Sequence, residues 1–375
     1  MHDARPPALD LTARREYHTG VSQSPAIGVA ERLIGDPKFR ALAARIRKMT
    51  PVAHVPGGQA PARTTDVNGE NLVIADGLWG SFAPILAGTL ARELQRPLLY
   101  ITAHLDQADI ARDDLELFTG TTPELLSAFE TVTGEGAASD EIAAERIRLC
   151  AMLQRVREGN GSNGASKPTE RGPLFIVAPV QALMQAVPSP EALAASLLSL
   201  AVGQRHDLRQ LADWLVRHGY TRLDQVESPG DFALRGDILD IFPPAETDPY
   251  RIDFFDDVIE AIRRFDVSTQ RSSEAFEAVQ IAAVSFGDDA RPKSGRFRPD
   301  AGEIVSFLSY LPPDTIVAFD EPVEAQEIGR TFWTRLNQPR GMMPVENLFR
   351  RANSFAQLHL FGLPGGADGE RFSFG

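Results

Sequence analysis

The stretch FALRGDILDIFPP, residues 232–244, with YRIDFFDD, residues 250–257, decides how the middle of this chain is read. Residues two apart on a β-strand share a face. Ile252 and Phe254 therefore point one way, and Arg251, Asp253 and Phe255 the other. In DFALR, Phe232 and Leu234 oppose Ala233 and Arg235. The Ile252 side reads as core. The other side joins arginine to an aromatic ring, a composition enriched in protein interfaces. The plainer alternative has Phe255 covered by a helix over 207–218 and Arg251 paired with a local acid. Alternation alone leaves both open. Gly236, between Arg235 and Asp237, predicts a bulge or tight turn that aims Arg235 and sets the register of DILDIF. Pro243 and Pro244 end that strand, because proline supplies no ladder donor.

Around this stretch the pattern is that of a small α+β unit over 188–285. DLRQLADWLVRHGY predicts a helix with Leu208, Leu211, Ala212, Leu215 and Val216 on one stripe, Asp207 capping its start and Gly219 stopping it. TRLDQV, DFALR, DILDIF, YRIDFF and VIEAIRRF read as short strands, mostly suited to hairpins.

The flanks are different. NLVIAD (71–76), PLLYITA (97–103), PLFIVAPV (173–180) and TIVAFDEP (315–322) are apolar runs of buried-strand type. Helical patterns lie between them at 81–94, 105–118 and roughly 138–157, with Ser81 placed to cap the first. Strands buried on both faces and separated by helices predict a covered parallel sheet, an α/β fold. One or two helices are expected over 26–48. Residues 1–20 read as loose, 51–69 and 286–302 as linkers, and 158–172 as a disordered polar insertion. QEIGRTFWTRL reads as a helix followed by a Gly-rich tail. The expected division is a flexible or helical N-terminal segment and linker over 1–70, the first part of the α/β domain over 71–187, the α+β domain over 188–285, a linker over 286–302, and the C-terminal part of the α/β domain over 303–375. In the simplest topology that last segment rejoins the first sheet, which periodicity does not establish.

Composition limits the chemistry. Lys plus Arg number 38 against 51 Asp plus Glu, a formal net charge of -13. That balance argues against a broad nucleic-acid footprint and leaves room for a local basic patch. The single cysteine, Cys150, excludes an intrachain disulfide framework and reads as a buried, inert thiol. No run of 18 apolar residues occurs and the start carries no apolar signal region, so a cytoplasmic protein without membrane contact is expected. The seven histidines are scattered without HExxH spacing, and no metal or cofactor is expected.

GLWGSFAPILA, 77–87, follows a strand and opens a helix, the position of a phosphate loop. Gly77, Gly80 and Ser81 are in place, but no lysine is, and Phe82 stands where charge is needed. Asp320 and Glu321, at the end of a strand, occupy the position of Mg²⁺-holding acids; without the loop lysine they read as structural. Ser81 lies in no GxSxG context, so no catalytic residue is assigned.

Residues 219–272, particularly RGDILDIFP, RIDFFDD and FDVSTQRS, resemble the inserted domain of bacterial transcription-repair coupling factors (Mfd), a domain type shared with the excision-repair protein UvrB. VAPVQALMQAVPSPEAL, 177–193, is similar to the family segment leading into that domain, and GLWGSFAPILAGTLA to its degenerate nucleotide loop. The resemblance implies a UvrB-like module: a helicase-like (RecA-type) α/β domain that has lost ATP binding, with an inserted domain that recruits UvrA. By motif match, the UvrA-contacting residues are Arg235, Arg251 and Phe255. Full-length relatives also engage RNA polymerase and double-stranded DNA, and hold the module against their C-terminal part. No GKT loop or DExH box occurs in these 375 residues. The chain is accordingly expected to be an excised piece, a truncated product or a stand-alone module. The competing reading is a nucleotide-dependent, helicase-like DNA-remodelling enzyme using Asp320 and Glu321.

Overall fold

The computed structural model describes residues 25–49, 71–129, 137–157, 172–195, 197–244, 246–282, 304–336, 341–364 and 369–374. The expectations for 1–20, 51–69 and 286–302, and for nearly all of 158–172, lie outside the described residues.

In chain order the elements are α1 (Pro25–Gly35), α2 (Pro37–Arg47), β1 (Leu72–Asp76), α3 (Phe82–Leu94), β2 (Leu98–Thr102), α4 (Leu105–Thr119), β3 (Glu124–Leu125), α5 (Ala137–Arg157), β4 (Phe175–Pro179), α6 (Val180–Met184), β5 (Val187–Pro188), α7 (Pro190–Ala195) and β6 (Leu197–Ala201). There follow α8 (Leu208–Arg217), β7 (Thr221–Arg222), β8 (Asp231–Arg235), β9 (Ile238–Ile241), β10 (Tyr250–Phe255), β11 (Val258–Phe265), β12 (Ser272–Phe276) and β13 (Ala278–Ala282). The chain closes with β14 (Ile304–Val305), a 3₁₀ turn (Phe307–Tyr310), β15 (Ile316–Asp320), α9 (Pro322–Thr334), α10 (Val345–Ala352), β16 (Ala356–Phe361) and β17 (Glu370–Ser373).

A seven-stranded sheet in the order β17-β1-β16-β15-β2-β4-β3 is parallel throughout. Its strands alternate between two apolar layers. Leu98 and Tyr100 pack with Leu42, Leu86 and Leu115, from α2, α3 and α4, on one face. Leu99 and Ile101 pack with Ile147, Leu183, Ala325 and Leu348, from α5, α6, α9 and α10, on the other. This explains why the strands read as unbroken apolar runs. Cys150 is fully buried in the second layer, and burial pushes its thiol up to about 12.

A six-stranded sheet, β12-β11-β10-β9-β8-β7, forms the smaller unit, with α8 against one face. Asp207 caps α8 by accepting from the backbone N–H groups of Arg209 and Gln210, and Gly219 takes φ +90 beyond its end. Leu211, Ala212 and Leu215 face the core; Val216, at the margin of the predicted stripe, is exposed. β7 pairs parallel to β8, while the other neighbours form antiparallel ladders. Two short antiparallel ladders fasten this unit to the large one: β6 with β13, and β5 with β14. The Tyr220 hydroxyl donates to the Ala282 carbonyl at 2.5 Å, and that of Tyr310 to the Pro188 carbonyl at 2.9 Å.

Two expectations need correction. Ser81 is the residue before α3, but its side chain makes no cap hydrogen bond. The Gly-rich tail contains α10, β16 and β17, and β16 lies between β1 and β15 inside the large sheet.

Gly329 sets how closely α9 and α10 approach. A Cβ there would stand 2.6 Å from Val345 Cγ2 and 2.7 Å from Val345 Cβ. The latter atom is fixed by the backbone of α10, so Gly329→Ala should destabilise by about 1–3 kcal/mol in denaturant unfolding. Gly28→Ala, in α1 with no atom within 4 Å, should instead stabilise by about 1 kcal/mol through helix propensity.

Candidate protein-interaction surface

Gly236 and Asp237 form a two-residue turn between β8 and β9, with Gly236 at φ +59. This is the tight-turn alternative of the sequence reading. The register shifts of this sheet lie elsewhere: β11 gains a residue opposite Asp253 and Phe254, and its pairing with β12 shifts between Arg263 and Phe265. The Asp237 carbonyl accepts from the Phe254 N–H at 2.9 Å, so the β8–β9 turn is tied to the end of β10. On its other side the β10–β11 turn is braced by residues 203–206: Gly203 N–H donates to the Ile259 carbonyl, and both Asp257 oxygens accept from Arg205 at 2.9 and 3.0 Å.

The register places side chains in cross-strand rows on the face away from α8. Ala233 is opposite Asp240, Asp240 opposite Arg251, and Arg251 opposite Arg263. In the next row are Arg235, Ile238, Asp253 and Ala261, and Phe255 pairs with Val258 at the tip. Val226, Ala233, Phe242 and Val267 make a small apolar cluster on this side; Phe242 lies in the FPP step with which Pro243 ends β9.

Asp240 organises the face. It is only 1% exposed, yet it sits on the side away from the main core. Arg251 binds it through two nitrogens, Nε to Oδ1 at 2.7 Å and Nη2 to Oδ2 at 2.8 Å, and Arg235 Nη2 donates to Oδ2 at 2.6 Å. Two-nitrogen arginine–carboxylate pairing is among the stronger charge-assisted geometries. Arg251 also donates to Gln270 Oε1 at 3.1 Å and lies 4.3 Å over the Phe265 ring. Its hydrogen bonds to Asp240 are the leading reason its guanidinium pKa moves up.

The three candidate contact residues thus differ in kind. Arg251 does pair with a local acid, and its side chain is 18% exposed; Arg235 is 48% exposed. Phe255 is 71% exposed and is not covered by α8. Ile238, beside Arg235, is also exposed. Sequence reasoning named neither Asp240 nor Ile238. The available signal was position: two residues apart on β9, they share its outward face.

Residues 198–285 match the UvrB interaction domain family. The matched span begins within β6 and runs three residues past the end of β13. The chain is 34% identical over 207 residues to the transcription-repair-coupling factor of Bacillus subtilis (strain 168), covering 55% of this chain and 16% of that protein. It is 32% identical over 248 residues to that of Myxococcus xanthus, covering 64% and 20%. For that of Escherichia coli (strain K12) the identity is 29% over 214 residues, covering 57% and 17%. The chain is thus similar to transcription-repair-coupling factors over more than half of its length, and it carries a UvrB-interaction-type domain. It spans about a fifth or less of the length of the curated relatives it matches.

The strand-end acids of the large sheet have other partners. Asp320 Oδ2 accepts from the Tyr100 hydroxyl at 2.9 Å, and Glu321 Oε1 accepts from the Gly362 N–H at 2.7 Å. Gly77 and Gly80 have φ +78 and +59, and the intervening Leu78 is buried, its N–H donating to the Phe361 carbonyl. The Phe82 ring, at the start of α3, meets that of Phe374 edge to face at 6.0 Å. Burial, with Glu321 and Glu324 adding, lifts Asp320 to about 6.

Arg251→Ala leaves a buried carboxylate with one partner and should destabilise the inserted domain by about 3 kcal/mol in denaturant unfolding. Arg235→Ala should cost less, because that side chain is half exposed, and Phe255→Ala should change stability within about 0.5 kcal/mol. Asp320 is raised from an ordinary carboxylate value of 3.8 to about 6, so between those values the folded chain holds a proton that the unfolded chain has lost. Its contribution to stability therefore improves as pH falls through the window, and its ionised form is a penalty above it. Asp320→Asn should be more stable than the parent above about pH 7, and the advantage should vanish towards about pH 4 in unfolding measured across pH.

Proposed function

We propose that this chain is a UvrA-recruiting module acting in transcription-coupled nucleotide excision repair. The tip of the β10–β11 hairpin and the adjoining outward face, with Arg235, Arg251 and Phe255, would form the UvrA-contacting surface. The α/β domain assembled from 71–187 and 303–375 would be its scaffold, and the chain would have no translocase activity of its own. RNA polymerase and double-stranded DNA would be engaged by other parts of full-length relatives.

The observation that carries this reading is Phe255. An aromatic side chain 71% exposed on a turn braced from both sides, near a half-exposed arginine, is a pre-formed anchor. The match to the UvrB interaction domain and the names of the relatives support this choice of partner and pathway. Arg251 contributes mainly by holding Asp240, which keeps Arg235 in place, so its substitution acts partly through the shape of the face.

Calorimetric titration of the chain with UvrA tests the proposal. Phe255→Ala should weaken binding by at least about 2 kcal/mol while leaving stability intact. Arg235→Ala should weaken it as well. Unchanged affinity in both variants rejects the surface. ATP should bind no more tightly than about millimolar, because the loop has no lysine to reach a triphosphate. Tight ATP binding would favour the nucleotide-dependent remodelling enzyme instead.

A further inference from the structure

The C-terminal rim of the large sheet carries a second surface, independent of the UvrA reading. The adjacent strands β1, β16, β15 and β2 end on this rim in that order. Each is followed within three residues by a large apolar side chain exposed to solvent: Trp79, Leu363, Val323 and Leu105, all between 51% and 66% exposed. The loops that carry them touch. Leu78 N–H donates to the Phe361 carbonyl at 3.1 Å, and Gly362 N–H donates to Glu321 Oε1 at 2.7 Å. A Cβ on Gly362 would stand 3.6 Å from the Leu78 carbonyl oxygen. His104 Nε2 lies 3.1 Å from Glu324 Oε1, bringing the start of α4 to the start of α9. Four neighbouring strands span about 15 Å, so the four side chains belong to one patch.

Open α/β sheets bind ligands at this rim. Its charges select against phosphate. Asp320, Glu321, Glu324 and Asp106 are gathered on it, and His104, at the start of α4, faces Glu324. Contiguous apolar exposure ringed by polar groups marks an interaction site. We propose that the rim docks a basic amphipathic helix of a separate partner protein. The helix lays its apolar stripe across Trp79, Leu363, Val323 and Leu105 and directs lysine or arginine towards Glu324 and Asp106. The patch fits two to three helical turns, whose i, i+4 and i+7 positions span about 10 Å.

The test titrates the full chain calorimetrically with a designed Leu–Lys amphipathic peptide of about four helical turns. Control peptides replace every Lys with Glu, or every Leu with Ser. The chain variants are Trp79→Ser/Leu363→Ser and Glu324→Gln/Asp106→Asn, with circular dichroism checking their fold. The Leu–Lys peptide should bind, and bind about tenfold or more weakly to the apolar double variant. The charge double variant should bind severalfold more weakly and with a shallower salt dependence. Neither control peptide should bind comparably. The proposal is overturned if the Leu–Lys peptide does not bind, or binds both variants as it binds the parent, which would be general attraction to a chain of net charge -13. Equal binding of the Glu peptide also overturns it. So does binding of a short thymidine oligomer that is lost in the apolar variant, or self-association that this variant abolishes.

Discussion

A single carboxylate, that of Asp240, shapes the outward face of the small sheet. Burying a charge is costly unless it is paired and hydrogen-bonded. Here β9 brings Asp240 directly opposite Arg251 on β10 and Ala233 on β8, leaving space over the alanine for Arg235 to reach in from the strand end. Two guanidinium groups then share one carboxylate through three hydrogen bonds. One arginine is thereby sheltered and structural, while the other remains half open. Gln270, held at φ +57 in the loop after β11, closes the network by accepting from Arg251. That loop is itself ordered by Asp266, whose carboxylate is pulled down to about 2 by hydrogen bonds from Ser268 and Thr269. The face is thus held by its own bonds, and a surface held in this way would lower the ordering cost of any binding.

The insertion is held to its scaffold by more than its two connecting ladders. Glu246, between β9 and β10, lies 3.4 Å from Arg155 of α5 and 3.2 Å from Arg264 of β11. Arg264 also lies over the rings of Tyr250 and Phe276. A charge cluster thus spans the two units on the side opposite the hairpin tip. Within the scaffold, the buried Arg146 of α5 donates to the carbonyls of Ser127, Ala182 and Gln185, fastening the long helix to the segment that leads into the insertion.

The legible parts of this fold were those where burial and sequence agree. β1, β2, β4 and β15 are continuous apolar runs because both faces of their sheet are covered. β16 lies in the same sheet but was passed over, because AQLHLF carries Gln357 and His359. Both are accommodated by local bonds: Gln357 donates to Asn353 and pairs with the His359 ring, which burial pushes down to about 4 and so holds neutral. Polar residues satisfied inside a sheet are invisible to a hydrophobic pattern. On the small sheet, alternation placed Arg251 and Phe255 on one side correctly. It could not tell that one was bound to a neighbour and the other open, since that depends on cross-strand register and on what α8 covers. Asp240 escaped notice for the same reason: an acid in a strand reads as exposed until its two partners are located.

The rim of the large sheet has the strand-turn-helix architecture of a phosphate site without its chemistry. A phosphate site needs uncommitted backbone donors, a cation and a carboxylate free to hold Mg²⁺. Here the Leu78 N–H is committed to Phe361, Phe82 packs on Phe374, and Glu321 is bonded to Gly362. The acid beside it is lifted to about 6 and shares a hydrogen bond with Tyr100, whose own hydroxyl burial pushes far above its ordinary range. These groups fasten neighbouring loops to one another. Once the donors and acids hold the loops together, what the rim presents outward is apolar side chains with acids around them. That combination disfavours a polyanion and favours a surface combining positive charge with apolar contact. The inserted domain shows the same division, where Asp240 binds its own arginines and Phe255 stays exposed. In both units the charged groups maintain shape, and exposed apolar side chains are what a partner would meet.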